Sequence, residues 1–340
     1  SLTMFHRFTS SLPPPGAVIL APLAGYTDEP FRRVCRRCGC RFAFTPLVDA
    51  QAVVHAAERN RTLLVRGADE PWLGVQLLGA NPDTLGEAAR TLNEREFDVL
   101  DFNLGCPVPK VRKRGAGAAL GEQPDLAARC IDSLCRTSRF PVTAKIRVLD
   151  FEDPEPTLEL ARQLVDAGIR MLTVHGRVTE QYYSGPVALT VLRALREALP
   201  VPVVANGGVF SRADAEQLRS QTDCGRIMVA RGTIGNPWIF AELTQNRPHI
   251  PTHSEVCERL DEQVTGMIDL YGETIALRTA RKIIAAYLKG RGYPRHLRYD
   301  AMQLNTTPEF CSFMRQLRET FPDSRPCPLA ARPDAVAWSP

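Results

Sequence analysis

The sequence predicts an α/β chain: a (β/α)8 TIM barrel followed by a small C-terminal helical-bundle domain. Short apolar runs rich in β-branched residues alternate with helical stretches eight times over about 230 residues. Strict alternation implies a parallel sheet, because each parallel return needs a crossover. Eight such units suit a closed barrel; an open doubly wound sheet is the structural alternative, but its G-x-G-x-x-G turn is missing. From about Thr244 the strand signal ends and helical periodicity takes over.

The eight strands are expected at Val18–Ala21, Phe42–Thr45, Trp72–Leu77, Val99–Asn103, Val142–Arg147, Met171–His175, Val203–Asn206 and Arg226–Ala230. Helices are expected at Pro82–Leu92 behind the cap Asn81, at Pro124–Leu134, and at Arg212–Leu218 behind the cap Ser211. In the second unit Val256, Leu260, Val264, Ile268 and Tyr271 form one apolar face. The chain therefore divides into an extension (1–16), a barrel (17–243), a helical domain (244–321) and a tail (322–340). The tail is rich in Pro and Ala with little to bury, so it is expected to be mobile.

The 340 residues can bury a large core, and an apolar fraction of 44% with 24% charged residues is ordinary for a soluble globular protein. A net charge of +4 permits a nucleic-acid partner without demanding one. No run approaches the ~18 apolar residues of a transmembrane helix, and the N-terminus lacks a secretory pattern. Ten irregularly spaced cysteines are too sparse for a disulfide scaffold and read as reduced thiols, so a cytoplasmic location is expected. Cys35, Cys38 and Cys40 invite a metal reading, but no second C-x-x-C pair supplies further ligands. Cys35 and Cys38 fit one helix and Cys40 the turn after Gly39, so no metal is expected.

In such a barrel the active site lies at the C-terminal ends of the strands. Unusual residues fall there one after another: Pro22-Leu23-Ala24 after the first strand, Gln76 on the third, and Asn103 leading into Gly105-Cys106-Pro107 after the fourth. Lys145 and Arg147 lie on the fifth, with His175-Gly176-Arg177 ending the sixth. Asn206-Gly207-Gly208 ends the seventh and Ala230-Arg231-Gly232 the eighth. Loops after the last two strands commonly bind phosphate through backbone N–H groups exposed by glycine, and Arg231 adds charge. Two ordinary glycine turns are the alternative, weakened by their joint placement. Lys145, inside an apolar strand, must project into a polar centre, since its unpaired burial is costly. His175 alone would read as structural; opposite a phosphate site, a cofactor role fits better. Gln76 offers a paired amide contact to a planar heterocycle.

Together, Ala21-Pro22-Leu23-Ala24-Gly25-Tyr26-Thr27-Asp28, Asn103-Leu104-Gly105-Cys106-Pro107, Gly115-Ala116-Gly117-Ala118-Ala119-Leu120, His175-Gly176-Arg177, Asn206-Gly207-Gly208 and Ala230-Arg231-Gly232 resemble the tRNA-dihydrouridine synthases. The resemblance covers about residues 17–320 and is nearest to the bacterial B-type branch. It implies bound FMN, NADPH as reductant, and uridine in tRNA as substrate. By matched motif, Pro22, Leu23 and Ala24 would lie along the flavin. Gln76 and Lys145 would meet its ring edge near His175, while Asn206, Gly207, Gly208, Ala230 and Arg231 would hold its phosphate. Cys106 would be the proton donor, with Asn103, Arg147 and Arg177 on the substrate side. Three positions depart from the family pattern: Pro46 where glutamate is common, Val178 where threonine is, and Ala230 where glycine is. The first bears on substrate contacts.

Reduction of the uracil 5,6 double bond needs a hydride at one carbon and a proton at the other; the hydride is the cofactor's chemistry. A thiol of pKa about 8.5 is mostly protonated near neutral pH and suits an acid role. Against this, Lys110, Arg112, Lys113 and Arg114 follow Cys106 and should favour thiolate, which suggests that RNA phosphates offset their charge. Between Arg278 and Arg298 lie seven basic residues and no acidic one. Arg278, Arg281 and Lys282 share a helix face, a pattern that fits a solvated face or a phosphate-tracking stripe. The target base must leave its stack to reach the barrel. Two rivals share parts of this pattern: a flavin barrel oxidoreductase for a free pyrimidine, and an RNA-binding protein on a degenerate barrel. A monomer is expected.

Overall fold

The computed structural model describes residues 12–56 and 59–330, and all that follows concerns these. Nine strands are present: β1 Val18–Leu20, β2 Phe42–Phe44, β3 Val48–Asp49, β4 Leu73–Leu78, β5 Val99–Leu104, β6 Val142–Arg147, β7 Leu172–His175, β8 Val203–Asn206 and β9 Arg226–Val229. All pairings are parallel. Strand β1 pairs with both β2 and β9, and β2 pairs with β4, so eight strands close a barrel. The ninth, β3, is a two-residue extension beside the end of β4. It carries no alternation long enough to be seen in sequence.

Alternation decides what enters the barrel, since successive residues face opposite ways. Ile19, Phe42, Phe44, Trp72, Val99, Met171, Val204 and Met228 fill its lower interior. Trp72 meets Phe42 and Phe44 edge-on, at ring separations of 5.8 and 5.4 Å. Gly74 makes room for this layer: a Cβ there would lie 2.4 Å from the Phe44 ring. Part of the expected N-terminal extension closes this end. Leu12 packs on the apolar layer, Gly16 N–H donates to Gly225 O at 2.7 Å, and Arg226 Nε donates to Pro13 O at 2.6 Å. Residues 1–11 lie outside the described residues.

The expected helices form around the barrel. Pro82–Leu92 is capped by Asn81, whose side chain accepts from the N–H groups of Asp83 and Thr84. Pro124–Thr137 and Arg212–Thr222 both run past their expected ends at Leu134 and Leu218. Their apolar faces and the outward strand residues make the main core.

Four helices follow: His253–Tyr271, Glu273–Leu288, Arg295–Ala301 and Thr307–Glu319. Val256, Leu260 and Val264 are fully buried in a second core, with Ile268 and Tyr271 packed at its edge. Trp238 and Cys38, both from the barrel, also enter this core. Cys35 and Cys40 belong instead to the barrel's core. Burial pushes the thiols of Cys38 and Cys40 up to about 12, which leaves them protonated.

The stretch 322–330 is more firmly packed than expected of a tail with little to bury. Cys327 is buried, Pro326 bridges Thr252, and the N–H of His253 donates to Arg325 O at 2.8 Å. Arg291 explains the anchoring: its buried guanidinium donates to Cys327 O at 2.6 Å and to Asn236 Oδ1 at 2.8 Å. A buried cation needs such acceptors. Residues 331–340 lie outside the described residues. Among the described residues, no helix is long and apolar enough to cross a membrane.

Candidate active site

The C-terminal mouth of the barrel is a cleft with about 1280 Å³ of empty space, its open mouth included. Strand register builds it: Asn103 pairs with Lys145, Arg147 with His175, and His175 with Asn206. The residues expected along the cofactor, together with Asn103, Cys106, Arg147 and Arg177, all line this cleft.

Pro22, Leu23 and Ala24 form the wall beyond β1. Thr27 holds this loop: its hydroxyl accepts from Leu23 N–H at 2.9 Å and donates back to Leu23 O at 3.1 Å. On the far side Gly207 and Gly208 take φ values of 134° and 72°, which other residues rarely adopt. Their N–H groups have no backbone acceptor among the described residues. Arg231 is fixed beside them, donating to Tyr183 O at 2.7 Å with its guanidinium over the Tyr183 and Phe210 rings. Ala230 and Asn206 line the same side, and Asn206 Nδ2 donates to Met228 O at 2.9 Å.

Positive charge dominates the cleft. Lys145, Arg147, Arg177 and Arg231 all line it, whereas the carboxylate that acts on Lys145, Asp101, lies buried beneath. Burial, then the repulsion of Arg147, brings the Lys145 ammonium down to about 8. Burial and the surrounding cations hold His175 well below the usual imidazole range, so it is neutral. Arg177 Nη1 lies 3.3 Å from His175 Nε2 and, always charged, must be the donor there. Such an unbalanced cluster suits an anion. The donor set, the glycine cradle and the flat apolar wall fit a phosphorylated planar cofactor such as FMN.

Cys106 sits at this mouth, partly exposed. Burial raises its thiol above the ordinary range, opposed by the nearby Val108 N–H and by Arg147 and Lys145. The opposing cations are thus Arg147 and Lys145, whereas the cations of the following loop were the ones expected to favour thiolate. In that loop Arg112 pairs with Glu122 at 3.2 Å and Arg114 with Asp49 at 2.5 Å, so part of its charge is already matched. Lys110 and Lys113 are exposed. The helical stripe divides likewise. Arg278 is exposed, but Arg281 donates to Leu304 O and Asn305 Oδ1, at 3.0 and 2.7 Å from Nη2. Lys282 lies 3.8 Å over the Tyr26 ring, at the edge of the cleft. None of these loop or helix cations lines the cleft itself.

Sequence reasoning misses Asp101 and Tyr183. Asp101 interrupts an apolar strand, the same signal that singles out Lys145. Tyr183 stacks beside His175 at 6.5 Å, and its sequence signal is no more than an aromatic pair in a polar loop. Of the three departures, Pro46 is buried and Leu47 forms the wall instead. Val178 contributes backbone, its carbonyl accepting from Arg147 at 3.3 Å.

A family model described as "Dihydrouridine synthase (Dus)" matches residues 19–324. A tRNA-dihydrouridine synthase B of Pseudomonas aeruginosa is 34% identical over 89% of this chain and 92% of its own length. Another from Pasteurella multocida is 32% identical over 80% and 84%. A probable tRNA-dihydrouridine synthase of Rhodobacter capsulatus is 34% identical over 83% and 89%. With the barrel, the basic cleft and the thiol at its mouth, these matches show that the chain belongs to the dihydrouridine synthase family.

Proposed function

We propose that this chain reduces the 5,6 double bond of uridines in tRNA, with FMN bound at the barrel mouth, NADPH as reductant and Cys106 as proton donor. The observation that carries this reading is a partly buried thiol, Cys106, at the rim of a cleft lined by Lys145, Arg147, Arg177 and Arg231. Gly207, Gly208, Asn206, Ala230 and Arg231 would hold the cofactor's phosphate, and Pro22, Leu23 and Ala24 would flank its ring. Gln76 and Lys145 would meet the ring edge, with neutral His175 nearby as a hydrogen-bonding group. When bound there and reduced by NADPH, FMN would supply the hydride for one carbon of the base.

Cys106 supplies the proton to the neighbouring carbon. Its sulfur is left as a thiolate, which the positive charges of Arg147 and Lys145 stabilise. The cations that oppose protonation before the step therefore favour the product of proton release. Asn103, Arg147 and Arg177 line the same cleft and are suited to orient the base. Lys110, Lys113 and Arg278 are exposed cations suited to phosphates of a larger RNA, which favours tRNA over a free pyrimidine.

Purified protein tests the reading. It should show flavin absorbance and form dihydrouridine in unmodified tRNA with NADPH, but not in free uridine. Colourless protein that still binds tRNA, or reduction confined to free uridine, would overturn it.

A further inference from the structure

Asp101 lies on β5, two residues below Asn103, with 1% of its surface exposed. Its carboxylate accepts from Thr143 Oγ1 at 2.6 Å and from Gln76 Nε2 at 2.7 Å. Gln76 Oε1 accepts from Asn103 Nδ2 at 2.9 Å. Asn103 Oδ1 then accepts from the N–H groups of Gly105 and Cys106, at 3.1 and 3.0 Å. A continuous chain of hydrogen bonds thus runs from the middle of the barrel to the backbone of Cys106.

The chain has a direction. An ionised carboxylate only accepts, whereas each amide can present either its oxygen or its nitrogen. Facing Asp101, Gln76 must turn its nitrogen inward and its oxygen toward Asn103. Asn103 must answer with its nitrogen, which leaves its oxygen for the loop that carries the thiol. Reversing either amide would set oxygen against oxygen or nitrogen against N–H in a buried place, a costly arrangement. The geometry points to Asp101 as the positioning residue that fixes the polarity of this relay and, through it, the placement of Cys106.

Asp101 has a second influence, through its charge. Lys145 on β6 feels Asp101 and Cys106 as favourable neighbours and Arg147 as an unfavourable one. Removing the Asp101 charge should let Lys145 lose its proton at lower pH. The effect on turnover rests on the proposed role of Cys106; the effect on the thiol's reactivity does not.

Alkylation of Cys106 by iodoacetamide, followed by peptide mass mapping in protein without RNA, reads the relay directly. Asp101→Asn keeps an oxygen for Gln76 and turns its nitrogen to Thr143, whose hydroxyl can accept. It should leave the Cys106 alkylation rate within about twofold while moving the alkaline limb of activity to lower pH. Asp101→Leu removes the acceptor and should change that rate several-fold. It should also lower kcat by on the order of 10²-fold with KM for tRNA little changed.

Two near-isosteric variants guard against misfolding of the Leu variant. Gln76→Glu sets carboxylate against carboxylate and, at alkaline pH where the pair no longer shares a proton, should disturb Cys106 alkylation. Adding Asp101→Asn should restore it. The introduced amide can donate to one oxygen of the introduced carboxylate, while the other oxygen still accepts from Asn103. Unchanged alkylation in Asp101→Leu and Gln76→Glu, or no recovery in the double variant, would overturn the assignment. If alkylation follows the pattern while Cys106→Ala still makes product, the relay stands and the proton-donor reading fails.

Discussion

At the barrel mouth, Lys145, Arg147, Arg177 and Arg231 crowd one cleft, and Asp101 is the carboxylate beneath them. Along Arg278–Arg298 the basic residues are far denser in sequence, yet several are already committed. Arg291 is buried against Cys327 O and Asn236, Arg281 holds Leu304 and Asn305, and Lys282 covers Tyr26. The cleft arginines have protein acceptors too, Arg147 on Gly105 O, Arg177 on Gly185 O and Arg231 on Tyr183 O. What sets them apart is that four cations share one open cleft above a single carboxylate, and that gathered charge calls for an anion. Counting charge along a chain cannot separate the two cases; where the fold gathers the charged ends does.

Several experiments can break this contrast. Arg291→Ala should cost about 2–4 kcal/mol of stability, through a cavity and buried carbonyls left without donors. Chemical denaturation reads it, and flavin per folded molecule should stay unchanged. Arg231→Ala should do the reverse, weakening flavin binding by roughly 10–100-fold through a lost charge-assisted contact, with little change in unfolding. Flavin titration of stripped protein separates the two. A stability loss in Arg231→Ala matching that of Arg291→Ala would erase the distinction.

Lys145 sharpens the contrast through pH. Its ammonium titrates at about 8, because burial and Arg147 disfavour its charge. The charge is present below that pH and lost above it, so flavin affinity should fall as pH rises through about 8. Lys145→Met should flatten this dependence. The smallest effect belongs to the stripe: Arg278→Ala should lower the salt slope of tRNA binding by about one and leave thermal unfolding unmoved. Arg281→Ala should instead act mainly on stability, through the turn at Leu304.

The barrel was legible because short apolar runs rich in β-branched residues alternate with helical stretches, and those strands bring Gln76, Asn103, Lys145, His175 and Asn206 to one cleft. What escaped has physical reasons. Strand β3 has two residues, too few to show a period. Asp101 carried the signal of an ionisable group in an apolar strand, but its partners Gln76 and Thr143 lie on other strands, and only register reveals them. Cys327 looked like part of a loose tail because its burial depends on Arg291, distant in sequence. The same holds for the basic loop after Cys106. Glu122 and Asp49, which match part of its charge, come from other parts of the fold.

The central claim concerns the fate of one proton, and a single variant addresses it. Cys106→Ala, purified with its flavin and given NADPH and unmodified tRNA, should still bind both tRNA and flavin. Its dihydrouridine formation should fall by roughly 10²–10⁴-fold, the usual weight of a positioned acid. Product formation at the wild-type rate, with flavin and tRNA bound, would contradict the account.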